Sequence, residues 1–358
     1  MKNKILIFTG GTGGHVIPAL NFANYLISKG KQCSIIVDKR GAKYLQSYTG
    51  KYYVINSSHL SGTKTQNLKG ILILTVGLFQ SFYFILKYKP NFCISFGSYA
   101  VLTPSISIII LKKFLKINFF IHEQNSVLGK VNNYFIPYAD LLFSNFKNIT
   151  NLKSKFNNKF FYVGMPSNNL LESKLLYKKK DLQKTIIFVY GGSQGSANVI
   201  NFFIDMIHQF DTETIKNIKL FIQLPKTMLQ SIELILKDLK IEYDLKEFFI
   251  NINEILSITN IAITRAGAGT INDLIKHQIP SIIFPIPNSI YNHQLSNAKY
   301  LSDLKASILI EEKDFNVNIH SLILKNLIND IEMQQKMKLH LNDIILPNAD
   351  KLMLKQLK

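Results

Sequence analysis

Short, unbroken apolar runs recur along this chain, each closing on a glycine-rich or polar loop. Ile5 to Phe8 leads into Gly10-Gly11-Thr12-Gly13-Gly14-His15, and helical spacing follows from Ala19 to Lys29. The second half restarts the plan. Ile186 to Val189 is a β-branched run, Gly191-Gly192-Ser193-Gln194-Gly195 its loop, and Ala197 to Gln209 an amphipathic segment. Further strand candidates are Ser34 to Val37, Phe92 to Phe96, Asn118 to Ile121, Leu220 to Gln223, Ile261 to Thr264, Ser281 to Phe284 and Ser307 to Ile310. Runs of this length without alternation predict parallel strands covered on both faces. The repeated strand, glycine loop and helix predict an α/β protein of two Rossmann-like, doubly wound domains facing an interdomain cleft. The boundary is expected near Val163-Gly164-Met165-Pro166, ahead of Lys178-Lys179-Lys180, so that residues 1–163 form one domain and 164–342 the other.

Gly70 to Leu86 carries no charge and is flanked by Lys69, Lys87 and Lys89. It falls short of the ~20 residues of a bilayer-spanning helix, and Thr75, Gly77, Gln80 and Ser81 interrupt it. Two arrangements fit: a helix buried against the sheet, or one whose outer face dips into lipid while the lysines meet headgroups. Ile106 to Leu111, followed by Lys112-Lys113-Phe114-Leu115-Lys116, repeats this layout.

Composition narrows the classes. A length of 358 residues, 47% of them hydrophobic, supplies two cores of ordinary size. The formal charge of +19 points to nucleic acid, to anionic lipid or to a lysine-biased genome. Arg40 and Arg265 are the only arginines, so the guanidinium forks of specific nucleic-acid readers are missing. No nucleic-acid partner is expected, and an anionic membrane surface is. Cys33 and Cys93 each lie inside an apolar run and fit small buried hydrophobes in a reducing compartment. The opening strand enters its loop without a small-residue cleavage site, which predicts a cytoplasmic location.

In parallel sheets ligands bind at the carboxyl ends of strands. The polar residues gathered there are Gly10 to His15, Gly97-Ser98-Tyr99, His122-Glu123-Gln124-Asn125, Gly191 to Gly195, Arg265 to Thr270, and Pro285 to Gln294. Glycines at a strand-to-helix turn admit a ligand close to the backbone and aim unpaired N–H groups at a phosphate, which suits Gly191 to Gly195 for a diphosphate. The first loop departs from a dinucleotide fingerprint with Asp38 as ribose ligand, because Val16 stands at its third glycine. His15 occupies that loop as a base for a sugar hydroxyl, or as a helix cap. Thr270 and Asp273 have the spacing of a capping box, while Asp273 can equally accept two ribose hydroxyls. No D-x-D pair occurs, so the usual carboxylate route to a metal–diphosphate complex is lacking.

GGTGGHV, FGSYA, HEQNSVLGKVNN, VGMP, VYGGSQGSANVIN, ITRAGAGTINDL and PSIIFPIPNSIYNHQLSNA, in this order, resemble the MurG family, which transfers GlcNAc from UDP-GlcNAc to undecaprenyl-diphosphate-MurNAc-pentapeptide in peptidoglycan synthesis. The resemblance implies a GT-B fold with an N-terminal acceptor domain, a C-terminal nucleotide-sugar domain and a last helix, about residues 343–358, returning to the first. It implies inversion at the sugar carbon, a β-1,4 link, neither metal nor cofactor, and peripheral attachment to the cytoplasmic face of the bacterial inner membrane beside other wall-synthesis proteins. By the same resemblance, His15 is the general base, and Thr12, Gly13, Gly14 and Asn125 approach the donor sugar. Ser193 and Ala268, Gly269, Thr270, Ile271, Asn272 and Asp273 hold diphosphate and ribose, Phe249 meets the uracil, and Gln294 reads sugar hydroxyls. Tyr99 and Glu123 fall on the acceptor side. Asn168 stands where many members have arginine, Asp273 replaces glutamate, Phe249 a smaller aliphatic residue, and Ser98 a glycine. A nucleotide-sugar epimerase of related fold, another transferase with a lipid acceptor, and a non-catalytic UDP-sugar sensor are the alternatives.

Overall fold

The computed structural model describes residues 3–59, 63–167, 184–191, 197–249 and 252–357. Asn168, Lys178-Lys179-Lys180 and the loop positions 192–195, Ser193 included, lie outside them. The chain divides into two compact units, Met1–Leu170 with Pro347–Lys358, and Leu171–Leu346.

The first unit is built on β1 (Lys4–Phe8), β2 (Gln32–Asp38), β3 (Lys51–Ile55), β4 (Phe92–Ser95), β5 (Asn118–Glu123), β6 (Leu141–Ser144) and β7 (Phe160–Tyr162). They form one parallel sheet in the order β3-β2-β1-β4-β5-β6-β7. The second unit has β8 (Thr185–Tyr190), β9 (Ile218–Gln223), β10 (Glu242–Lys246), β11 (Ile261–Thr264), β12 (Ser281–Ile283) and β13 (Ser307–Leu309). Its parallel order is β10-β9-β8-β11-β12-β13. In each sheet the winding reverses beside the first strand, at β1/β4 and at β8/β11, where doubly wound folds open a crevice for ligands.

Every apolar run read as a strand is one. The strands that escaped the pattern are β3, β6, β7 and β10. Three of them are sheet edges, where one side meets solvent and charged residues such as Lys51, Glu242 and Lys246 replace apolar ones. The central strands bury both faces. Ile5 and Ile7 pack with Val16, Ala19 and Phe22, whereas Leu6 and Phe8 pack with Ile85, Val101 and Ile108.

Three local expectations need correction. The first helix is Gly13–Ser28, not one starting at Ala19: Pro18 sits inside it at the cost of one backbone hydrogen bond, and Thr12 is its N-cap. Helix Ala268–His277 has Gly267 as N-cap with no side-chain cap, so Thr270 and Asp273 build no capping box. The apolar segment extends to helix Lys64–Tyr88, capped at its start by the reciprocal Thr63–Gln66 box.

That helix is long and apolar enough to cross a membrane by length and composition. Its buried positions are Gly70, Gly77, Ser81 and Ile85, and a Cβ on Gly77 would stand 2.1 Å from the Asn56 carbonyl oxygen, so this glycine lets the helix seat closely. Leu68, Leu72, Val76, Phe79, Tyr83 and Leu86 form an exposed stripe at helical spacing on the outside. The arrangement buried against the sheet is therefore realised only by the small-residue edge.

Candidate functional site

In the first unit, the β1/β4 reversal presents the loop into helix Gly13–Ser28. This helix has neither an acidic residue in its first turn nor a capping side chain, which leaves the positive end of its dipole uncompensated. His15 Nδ1 lies 2.9 Å from the Phe96 carbonyl oxygen and 2.9 Å from Gln124 Oε1. Its ring rests against Gly97, which has φ +76°. A Cβ there would come within 3.4 Å of Nδ1, so the close approach and the backbone angle both call for glycine.

Asp38 is buried behind the loop and braces it. Its Oδ1 accepts from the Gly11 and Gly41 N–H groups at 2.8 and 2.9 Å, and its Oδ2 from Arg40 Nε at 2.9 Å and Ser57 Oγ at 3.3 Å. Arg40 Nη1 reaches His59 Nε2 at 3.1 Å, and the His59 ring meets Tyr99 edge-on at 4.5 Å. Burial first, then the Arg40 charge, holds the His59 pKa below its usual value, with Asp38 opposing. Tyr99 thus belongs to a small polar cluster at the strand ends.

Glu123 is placed differently from the acceptor-side expectation. It is 2% exposed and both oxygens are engaged: Oε1 accepts from the Asn125 N–H and Nδ2, Oε2 from the Gly129 N–H and Asn132 Nδ2. With four donors on it, the carboxylate shapes the loop that carries Asn125.

In the second unit, Arg265 is a buried strut. Nη1 donates to the Phe284 and Pro285 carbonyls at 3.1 and 3.3 Å, and Nη2 pairs with Glu312 at 2.5 Å. The next turn is pinned from the loop after β12. Gln294 Oε1 accepts from the Ala266 and Ile286 N–H groups, and Asn297 Nδ2 donates to the Ala266 carbonyl. The turn therefore holds helix Ala268–His277 with its N-terminus at the β8/β11 reversal. A Cβ built on Gly269 meets nothing within 4 Å among the described residues. Ala268, Thr270 and Ile271 are buried, so what they can offer a ligand is backbone.

Asp273 sits one turn further along that helix. Desolvation raises its carboxyl to about 7, with Lys276 opposing. At the β8/β11 reversal, Tyr190 and Thr264 are register partners on β8 and β11, and their buried hydroxyls have only each other as hydrogen-bonding company among the described residues. Burial first and Asp273 second hold the Tyr190 phenol well above its usual value, and the Thr264 hydroxyl opposes more weakly. Phe249 turns its ring inward, 3% exposed, edge-on to Phe188 at 5.7 Å, so only its backbone is left to meet a base at this strand end.

Family models agree with this two-unit layout. Residues 5–144 match the glycosyltransferase family 28 N-terminal domain, and 186–350 its C-terminal domain. The UDP-N-acetylglucosamine--N-acetylmuramyl-(pentapeptide) pyrophosphoryl-undecaprenol N-acetylglucosamine transferase of Rickettsia canadensis is 33% identical over 316 residues, 87% of each chain. The chain belongs to the MurG family. Among solved structures, Acinetobacter baumannii MurG superposes with a TM-score of 0.77 at 19% identity over 99% of each chain. A putative UDP-N-acetylglucosamine 2-epimerase from Listeria monocytogenes reaches 0.71 at 12% identity, covering 99% of this chain and 95% of that one. At such identities these likenesses speak to fold alone, which this MurG-family chain shares with both.

The structure thus brings together His15, Thr12, Gly13, Gly14, Tyr99 and Asn125 at one switch point, and Gly269, Asn272, Asp273 and Gln294 at the other. Motif reading did not single out His122, Gln124, Glu312 or Asn297 as supports. Nothing in a motif marks a side chain whose task is to hold another, although the polar pair His122 and Gln124 amid an apolar run was a usable signal.

Proposed function

We propose that this chain transfers GlcNAc from UDP-GlcNAc to the C4 hydroxyl of the lipid-linked muramyl-pentapeptide, giving lipid II with inversion at the sugar carbon. Family membership across 87% of both chains carries this reading. In the proposed step, His15 Nε2 takes the proton of the C4 hydroxyl while that oxygen bonds to the anomeric carbon. The bond from that carbon to the diphosphate breaks, and the electron pair leaves on UDP. The amide groups opening helix Ala268–His277 face the diphosphate, where fixed dipoles favour the developing charge. Asp273 accepts from the ribose, and Gln294, its Oε1 already used, offers Nε2 to a sugar hydroxyl.

A lipid acceptor needs a surface to bring it. The exposed stripe of helix Lys64–Tyr88 supports peripheral attachment, together with Phe114 at 81% exposure and the lysines around both segments. Anionic headgroups on the cytoplasmic face fit those cations.

Incubation with labelled UDP-GlcNAc and the lipid-linked muramyl acceptor tests the reaction. Labelled lipid is expected. Altered sugar and free UDP without acceptor would indicate the epimerase instead, and an unchanged donor a sensor. His15→Ala is expected to cut turnover by roughly a hundredfold or more while donor binding survives; near-normal turnover would remove His15 from the mechanism.

A further inference from the structure

His15 can act as a base only through a nitrogen that carries no proton, and the groups around it decide which nitrogen that is. The Phe96 carbonyl oxygen lies 2.9 Å from Nδ1 and has no proton to give. Nδ1 must therefore carry the hydrogen, and Nε2 the lone pair. The second neighbour of Nδ1, Gln124, must then present its oxygen, as it does at 2.9 Å.

The orientation of that amide is itself fixed from the other side. Gln124 Nε2 lies 3.2 Å from the His122 carbonyl oxygen and 3.2 Å from His122 Nδ1. A flipped amide would set oxygen against that carbonyl. His122 in turn directs Nε2 at the Gly164 carbonyl oxygen, 3.0 Å away, so its hydrogen is on Nε2 and its Nδ1 is an acceptor. Three backbone carbonyls, of Phe96, His122 and Gly164, thereby dictate every proton along one line. His122 donates to Gly164, Gln124 donates to His122, and His15 donates to Gln124.

The line is shielded. His122 is 0% and Gln124 1% exposed, and the His122 ring stacks on Phe96 at 4.9 Å. Burial above all, with the charge of His15 adding to it against the Gly164 hydrogen bond, lowers the His122 pKa to about 4, so this ring stays neutral at physiological pH. A neutral His122 keeps the lone pair that Gln124 needs.

We propose that Gln124 and His122 are positioning residues for the reaction, a relay anchored on the Gly164 carbonyl that locks His15 in the Nδ1–H tautomer with Nε2 free to accept the acceptor's proton. This rests on His15 being the base. Gly164 lies at the point where the chain leaves the first unit, and a Cβ on it would stand 3.0 Å from the carbonyl oxygen of Pro347, where the chain returns. The Gly164 N–H donates to the Ser144 carbonyl at 3.0 Å, which fixes the anchor of the relay to the end of β6.

The direct test is imidazole nitrogen NMR on histidine-labelled full-length protein without substrate. His15 is expected as Nδ1–H and His122 as Nε2–H, and Gln124→Leu, which leaves the Phe96 carbonyl as the remaining acceptor for that hydrogen, should admit a minor Nε2–H population. The kinetic test runs alongside it. Gln124→Leu should lower kcat by roughly ten- to a hundredfold with the donor KM within about twofold, since a poorly held base loses turnover without touching donor contacts. Gln124→Glu keeps an acceptor oxygen facing His15 but sets its other oxygen against the His122 carbonyl, so it should keep the Nδ1–H tautomer while recovering only part of kcat. An Nε2–H tautomer for His15 in the native protein, or native kcat in Gln124→Leu with unchanged tautomer, would overturn the relay. Because the NMR arm needs no turnover, a correct tautomer alongside normal activity in His15→Ala would sink the base assignment while leaving the relay as structure.

Discussion

Ser98 has φ +78° and ψ 156°, a region that glycine enters freely and that strains residues bearing a Cβ. The resemblance places a glycine at this position, so the serine carries a backbone cost where its relatives have none. Its hydroxyl offsets part of that cost by accepting from the Ala100 N–H at 3.4 Å, a long contact. Ser98→Gly is expected to stabilise the protein by about 1 kcal/mol, the strain released less the entropy glycine adds to the unfolded chain. Chemical denaturation checks it, and a lower midpoint would show that the hydroxyl matters more than the angle. Asp273 gives a second residue-scale expectation. Its carboxyl titrates near 3.8 when free and near 7 in the fold, so the folded protein holds an extra proton between those values. Stability is therefore lost as pH rises through that window. Asp273→Asn should leave ligand-free melting little changed at pH 4 and raise it by several degrees at pH 8. Donor affinity should rise with pH across 7 in the native protein, as the acceptor carboxylate ionises, and stay flat in the asparagine variant. Isothermal titration with UDP at both pH values separates these outcomes. Glycine loops, His15 and Asp273 were visible in the sequence because each belongs to a local strand–loop–helix pattern. The engagement of Glu123 by Gly129 and Asn132, and of Arg265 by Glu312, was not, because those contacts join segments that only folding brings together.

At the scale of elements, helix Lys64–Tyr88 inverts the usual arrangement of an amphipathic surface helix. Gly70, Gly77 and Ser81, with Ile85 as the one large residue, line its buried edge and large apolar residues its exposed stripe, so the hydrophobic effect in water works against the stripe and an apolar environment would favour it. Replacing Leu72 and Phe79 by glutamate should abolish co-sedimentation with anionic vesicles and leave both melting and UDP binding unchanged. Undiminished vesicle binding would assign the stripe to something other than lipid. The sequence showed the apolar length and the flanking lysines but not which face would be covered. Gly77 decided that, by admitting the Asn56 backbone to a distance no other residue permits. The same distinction separates the strands that could be read from those that could not. Buried central strands such as β1 and β8 announce themselves as apolar runs, whereas β3 and β10 are edges whose pairing partner, not their composition, makes them strands.

At the scale of the whole chain, the two sheets arise from the same plan, yet the first unit is closed by residues from the far end of the sequence. Ala349, Met353 and Leu357, on or just beyond helix Ala349–Lys355, are buried in the cluster that holds Val16, Ala19 and Ala23 of the first helix. No periodicity in so short a helix specifies that destination, and only the resemblance pointed to it. The consequence is that the core under the His15 loop depends on a segment that rejoins the first unit only after the whole of the second unit's sequence. Met353 is fully buried, so Met353→Ala should cost about 2–5 kcal/mol through lost contacts and the cavity left behind. Amide hydrogen exchange would locate the loss. Faster exchange is expected in β1, β2 and β4, whose residues Ile5, Ile35 and Ile94 share that cluster, while β8, β9 and β11 keep their protection because their core contains none of these residues. Equal acceleration in both sheets would mean that the two units unfold as one cooperative block, and that helix Ala349–Lys355 stabilises the second unit's core as much as the core it touches.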